Sequence, residues 1–148
     1  MKVAILMGSP NDKAKMAGAG EMLGRFGVEV DERVLSAHRT PAEVAAFASS
    51  AREEGFAAVI CGAGMAAHLA GVVAAHTTLP VIGVPLSGGA LNGVDALYAT
   101  VQMPKGIPVA TVAVDGSANA GILAVEMLAI TDAGLAEKLA EFRAGGAR

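Results

Sequence analysis

His38 and Arg39 sit side by side in the segment Ser36-Ala37-His38-Arg39-Thr40-Pro41. Histidine is the side chain best able to give and take protons near neutral pH. Arginine offers a planar, bidentate clamp for phosphate or carboxylate. A second segment, Gly8-Ser9-Pro10-Asn11-Asp12, supplies hydroxyl and amide donors from Ser9 and Asn11 and an acceptor in Asp12 that suits sugar hydroxyls. Glycine at its start lets a ligand approach the backbone, and a helix beginning just after it favours an anion. The plainer reading of this segment is a capped turn with Asp12 as N-cap. The spacing is neither that of a Walker loop nor that of a dinucleotide fingerprint.

A third segment, Gly62-Ala63-Gly64-Met65-Ala66-Ala67-His68-Leu69, is built of small residues that admit a flat or small ligand. His68 within it is either a ligand contact or a helix-packing histidine. His76 lies eight residues further on, which is not metal-ligand spacing on one helical turn, and no cysteine or carboxylate completes a set. No metal is therefore expected. Cys61 has apolar neighbours, Val59 and Ile60, and reads as a buried strand residue.

Alternating strands and helices are needed to bring these segments together. The apolar run Val3 to Met7 reads as a strand covered on both faces. A helix is expected from Lys13 to Phe26, stopped by Gly27, and then a strand from Val28 to Leu35. Thr40-Pro41 with Glu43 matches a capping box, opening a helix that runs to about Glu54 and stops at Gly55. Ala57 to Cys61 reads as the third strand, Gly62 to Gly64 as a loop, and Met65 to about Thr77 as a helix carrying His68 one turn in. Strands at Val81 to Val84 and Val109 to Ala113 follow, with a loop from Pro85 to Gly93 and a short helix within Val94 to Met103. Helices from Ala118 to Ile130 and from Asp132, as cap, to Ala144 complete the chain. The order predicts an α/β three-layer sandwich with a central parallel sheet, flavodoxin-like or Rossmann-like, in a single domain over 1–148. Ligands in such folds bind at the carboxyl ends of the strands. That rule selects the segments after Met7, Leu35, Cys61 and Val84.

Composition narrows the partners. The 148 residues carry 11 basic and 14 acidic side chains, a net charge of -3, and 3% aromatics. Neither a basic stripe nor a base-stacking platform is present, so no nucleic-acid partner is expected. Residues 55–94 contain no Asp, Glu, Lys or Arg, but glycines, histidines, threonines and Pro80 interrupt the span and exclude a membrane helix. Hydrophobic residues make up 53% and charged residues 17%, an apolar excess that predicts a homo-oligomer, with the charge-free span in an interface. The lone cysteine fits a reducing compartment, and no leader pattern follows Met1, so a cytoplasmic location is expected.

Seven stretches carry a resemblance in order along nearly the whole chain. They are Gly8-Ser-x-x-Asp12, Ser36-Ala-His-Arg-Thr-Pro41, Ala63-Gly-x-Ala-Ala-His-Leu69, Pro80-Val-Ile-Gly-Val-Pro85, Gly93-Val-Asp-x-Leu97, Val101-Gln-Met-Pro-x-Gly-x-Pro-Val-Ala110 and Asn119-Ala. Together they resemble the catalytic subunit of phosphoribosylaminoimidazole carboxylase, whose common bacterial form is 5-(carboxyamino)imidazole ribonucleotide mutase of purine biosynthesis. The resemblance implies a homo-octamer with sites near subunit boundaries, a small-molecule ribonucleotide substrate and no cofactor. It implies transfer of carbon dioxide from the exocyclic amine to ring carbon C4. His38 matches the family's catalytic histidine. Ser9, Asp12, Ser36 and Arg39 match its ribonucleotide-binding positions, with Asn11 where the family usually has Ser. Gly64, Ala66, His68 and Leu69 match the loop that encloses the base and carboxyl group. Met65 stands where the family usually has Gly, and Ala70 where it usually has Pro.

Two alternatives remain at this level. One is a direct carboxylase using free carbon dioxide. The other is a non-catalytic nucleotide- or flavin-binding module, which a yellow purified protein would favour and the scarcity of aromatics opposes.

Overall fold

The computed structural model describes residues 1–148. Five strands, β1 (Lys2–Met7), β2 (Glu29–Val34), β3 (Phe56–Gly64), β4 (Val81–Leu86) and β5 (Ala110–Thr111), form one sheet in the order β2-β1-β3-β4-β5. Every pairing is parallel. Six helices complete the chain: α1 (Lys13–Phe26), α2 (Pro41–Ser50), α3 (Leu69–His76), α4 (Val94–Val101), α5 (Ser117–Ala129) and α6 (Ala133–Ala144). This is the expected flavodoxin-like three-layer arrangement.

Strand alternation divides the core. Val3, Ile5 and Met7 point to one face, under α1, α5 and α6, while Ala4 and Leu6 point to the other, under α2 and α3. That is why β1 is apolar at consecutive positions. Edge strand β2 instead carries Glu29, Asp31, Glu32 and Arg33 and is half exposed, which guards the edge against further pairing. Asp31 and Arg33 pair at 2.8 Å, and the Arg33 hydrogen bond holds the Asp31 carboxyl below its usual range. Gly27 ends α1 in the left-handed conformation, and the Asp132 side chain accepts from the Leu135 amide at 3.0 Å to cap α6.

Several expectations are corrected, among them the loop from Pro85, since β4 continues through Pro85 and Leu86. Gly62 to Gly64 is not a loop: it continues β3 and pairs with Val84 to Leu86. Gly62 is packed closely there, since a Cβ at that position would stand 2.3 Å from the sulfur of buried Met16 on α1. Helix α3 begins at Leu69 rather than Met65, because Met65 has a left-handed φ of +51° that a helix cannot include. His68 is consequently the residue before the helix, not one turn inside it. The Thr40 hydroxyl does not cap α2. It accepts from the Ser36 amide at 3.0 Å and folds the preceding loop, so the capping box is not formed, and α2 ends at Ser50 rather than near Glu54. The last strand shrinks to Ala110–Thr111, since only Ile82 and Gly83 offer it a partner.

Candidate active site

The chain leaves β1 outward to β2 and then returns across β1 to β3. The loops after β1 and β3 therefore part to opposite sides of the sheet and open a crevice at its carboxyl edge. A cavity of about 390 Å³ lies there, within the range of small-molecule sites. All ten side chains or backbone positions expected in the site line it: Ser9, Asn11 and Asp12 after β1, Ser36, His38 and Arg39 after β2, and Gly64, Ala66, His68 and Leu69 at the end of β3 and beyond. His76 lies at the far end of α3, exposed and away from this cavity. Ala70 is buried in the core against α2 and β3, so its departure from the family pattern does not touch the cavity.

Elementary hydrogen bonding sets the polar wall. The Ser9 hydroxyl accepts from the Asn11 amide at 3.2 Å, and the Ser36 hydroxyl accepts from the Arg39 amide at 3.2 Å. Each serine uses a lone pair to fix its own loop, which leaves its O–H proton free to donate into the cavity. Pro10 sits at the first position of the short turn after Ser9, where a missing N–H costs nothing. Asp12 has no side-chain hydrogen bond at the start of α1; its Oδ2 lies beside Gly8 instead. Burial pushes the Asp12 carboxyl above its usual range, against opposing pulls from the backbone hydrogen bond with Ser9 and from Lys15. Arg39 is exposed in the cavity mouth and has no ion-pair partner within the chain, so its fork is available to an anion.

His38 Nε2 and His68 Nδ1 are 2.8 Å apart, with ring centroids 4.9 Å apart and planes at 87°. One ring must donate and the other accept across that contact, so the pair can share a proton but cannot both carry one on the facing nitrogens. This contact joins the polar wall to the opposite wall. Neither the spacing of 30 residues nor the type of either residue signalled it.

The wall beyond β3 and β4 was only partly foreseen. Met65, Ala63, Ser87, Gly88 and Gly89 line it, and none was named from the sequence as a site residue. The rule that selects carboxyl ends of strands had selected the segment after Val84 without choosing residues. Ser87 is held in place by its neighbours. Its amide donates to Asp115 Oδ1 at 2.9 Å, and Lys15 Nζ donates to its hydroxyl at 2.9 Å. Burial pulls the Asp115 carboxyl upward, but its hydrogen bonds with Ser87 and the charge of Lys15 outweigh this and leave it below the usual range.

Comparison with known proteins gives a consistent result. The AIR carboxylase family matches residues 2–148. N5-carboxyaminoimidazole ribonucleotide mutase of Vibrio vulnificus is 53% identical over 145 residues, covering 97% of this chain and 90% of that protein. Phosphoribosylaminoimidazole carboxylase of Saccharomyces cerevisiae is 50% identical over 140 residues, covering 95% of this chain but 24% of that protein. The crystal structure of Treponema denticola PurE superposes with a TM-score of 0.87 at 28% identity, covering 99% of this chain and 91% of that one.

Proposed function

The chain belongs to the AIR carboxylase family, and from that membership we propose how its cavity performs the N5-carboxyaminoimidazole ribonucleotide mutase reaction of purine biosynthesis. The substrate has a phosphate, ribose hydroxyls, an imidazole ring and a carboxylated exocyclic nitrogen. Arg39 and the free hydroxyl protons of Ser9 and Ser36 suit the phosphate, with Asn11 as a further donor. Asp12 suits the ribose hydroxyls. Gly64, Ala66, His68 and Leu69 bound the ring and the migrating carboxyl group.

The chemistry balances with one proton carrier. The bond between the exocyclic nitrogen and the carboxyl carbon breaks, its electron pair stays on nitrogen, and that nitrogen takes a proton. Released carbon dioxide is attacked by C4, whose π electrons form the new carbon–carbon bond. C4 then carries both hydrogen and carboxylate. Loss of its proton returns the C–H pair to the ring and restores aromaticity. One proton is delivered and one recovered, so His38 can serve both steps with His68 against its ring. No group outside the chain is needed for this balance.

The observation that carries the mutase over the direct carboxylase is the composition of the wall facing Arg39. Ala63 to Leu69 holds no Asp, Glu, Lys or Arg, and Gly88 and Gly89 continue it. A wall of small uncharged residues suits carbon dioxide that is released and recaptured at the site, which the mutase reaction requires. The test is turnover of the carbamate, made in situ by an ATP-dependent synthetase, in the presence of labelled bicarbonate. Product that forms efficiently with little early label supports the mutase. Extensive label before the carbamate decomposes supports the direct carboxylase.

A homo-octamer working in the cytoplasm completes the proposal. Support comes from α4, where Val94, Tyr98 and Val101 lie one turn apart and exposed, Tyr98 by 61%, with Leu91 beside them. No helix is long and apolar enough to cross a membrane. Light scattering should report a closed assembly of eight chains, and a monomer at micromolar concentration would contradict it.

A further inference from the structure

Lys15 stands in the first turn of α1, where the helix has no acidic residue. A cation at a helix N-terminus opposes the helix dipole, so its placement needs a reason outside the helix. That reason is Ser87, in the loop after β4. Lys15 Nζ donates to the Ser87 hydroxyl at 2.9 Å and also to the Ser87 carbonyl. Asp115 holds the same residue from the side of β5. Its Oδ1 accepts from the Ser87 amide at 2.9 Å, and its own amide donates to the Pro85 carbonyl at 2.9 Å. Asp115 has a left-handed φ of +57°, which aspartate tolerates better than most residues. The amide, carbonyl and hydroxyl of Ser87 are thus all fixed by two side chains distant in sequence.

The next two residues are different. Gly88 and Gly89 have φ of +137° and +64°, and neither makes a hydrogen bond within the chain. Both line the cavity, whereas Lys15 and Asp115 do not. A trans peptide is planar, with its C=O and N–H pointing in opposite directions. The Ser87 carbonyl is held on Lys15, so the Gly88 N–H of the same peptide is held pointing away from Lys15. Gly64 pairs with Leu86, two residues before Gly88, and this puts that amide beside the segment that bounds the migrating carboxyl group.

We infer that the Gly88 amide donates a hydrogen bond to the carboxylate of the substrate, and that Lys15 and Asp115 are positioning residues that aim it. The identity of the ligand rests on the mutase reading. A peptide N–H with no acceptor in the chain suits an anion, and presenting it costs no side-chain entropy. The contact belongs to the two ends of the reaction, because the carbamate and the product are charged there and the carbon dioxide between them is not. It therefore contributes to holding the ligand more than to the step that passes through the neutral gas.

Two ligands that differ only in that group test the assignment: the carboxylated product, and aminoimidazole ribonucleotide, which has the same phosphate, ribose and ring. Calorimetric affinities for both are measured with the unaltered protein, Lys15→Met and Asp115→Gly. Lys15→Met keeps most of the side-chain length and removes its donors. Asp115→Gly removes the acceptor at a φ that glycine adopts freely. In each variant, affinity for the product should fall roughly 3- to 10-fold, less than the full worth of a hydrogen bond to a charged group, because the donor is loosened and not deleted. Affinity for aminoimidazole ribonucleotide should stay close to that of the unaltered protein, which also shows that the variant is folded. KM for the carbamate should rise with the loss of product affinity, while kcat changes less. Unchanged product affinity overturns the inference. An equal loss for the two ligands also overturns it, since a general loosening of the site would produce that. A loss in one variant alone does the same, because both anchors are needed to fix the peptide. An unaltered protein that binds neither ligand overturns the proposed function itself.

Discussion

The two walls of the cavity are built on different physics. The wall after β1 and β2 is fixed by hydrogen bonds, with hydroxyls of Ser9, Ser36 and Thr40 folded back on their own loops. The wall after β3 and β4 is fixed by packing and by backbone conformation, with Met65 against Gly89 and Ser87 strapped by Lys15 and Asp115. One wall presents donors in set directions and can recognise. The other presents mostly small apolar surface, with His68 and Ser87 as its polar groups, and serves chiefly to exclude. A reaction that binds a charged nucleotide while holding a neutral gas needs both, and the His38–His68 contact is where they meet.

The largest break in this contrast is at that meeting point. His38→Asn keeps a polar side chain of similar size but cannot carry a proton through the cycle. Turnover should fall by roughly 10²–10⁴-fold, the usual share of general acid–base catalysis, while product still binds. Single-turnover rates together with calorimetric titration of product test this. Near-normal turnover in pure His38→Asn protein would move the proton transfer elsewhere, His68 being the first candidate.

Arg39 tests recognition alone. Arg39→Ala should weaken ribonucleotide binding by about 1.5–3 kcal/mol, the range for hydrogen bonds to charged groups. Arg39→Lys should recover only part of that, since a point charge does not reproduce a planar fork. Unchanged calorimetric affinity in Arg39→Ala would assign the phosphate to the Gly8 loop by itself.

The floor shared by both walls gives a third test. Gly8 donates its amide to the Gly62 carbonyl at 3.2 Å, so the first loop rests on β3 where β3 rests on Met16. Gly62→Ala forces a methyl group into Met16, which is buried and has little room to move. The expected cost is about 1–3 kcal/mol of stability, measured as a lower denaturation midpoint at unchanged slope. A neutral result would show that Met16 can move aside.

Legibility in the sequence followed the same division. The polar wall was readable because its chemistry is carried by residue type: Ser9, Asp12, Ser36, His38 and Arg39 have few other reasons to cluster at strand ends. The parallel sheet with helices on both faces was readable from the alternation of apolar runs and helices. The apolar wall was not, because glycine and alanine have several meanings. Gly62 to Gly64 read as a loop and is a strand, since the signal was one of close packing against Met16 rather than of turning. Met65 read as the start of a helix because helix propensity carries no information about a positive φ imposed by the surrounding fold. Thr40 satisfied the pattern of a capping box, but its hydroxyl bonded Ser36, a competition between two local partners that spacing cannot decide. Ser87 acquires its place from Lys15 and Asp115, 72 and 28 residues away in sequence, and no local pattern encodes that.

The smallest expected effect is a pH dependence, and its sign distinguishes a binding carboxylate from a structural one. Burial raises the Asp12 carboxyl above its usual range. The native protein therefore holds this proton more tightly than the unfolded chain does. As pH rises through the ordinary aspartate range, the unfolded chain loses the proton first, and folding becomes less favourable by the difference. Asp12 thus costs stability at neutral pH, and Asp12→Asn should melt slightly higher there, with the gap closing in acid below the ordinary aspartate range. Binding has the opposite requirement. An acceptor for ribose hydroxyls must be ionised, so as pH falls, KM for the nucleotide should begin to rise at a pH above that of an ordinary aspartate. In Asp12→Asn that acid limb should vanish, leaving a KM that is higher at neutral pH and flat through the same range. Melting curves and KM profiles of the two proteins across that range are the measurement. A capping or purely structural Asp12 would give the reverse pattern, with lower stability on substitution and an unchanged KM profile. An acid limb that persists in Asp12→Asn would assign the titration to another group and remove Asp12 from the ribose.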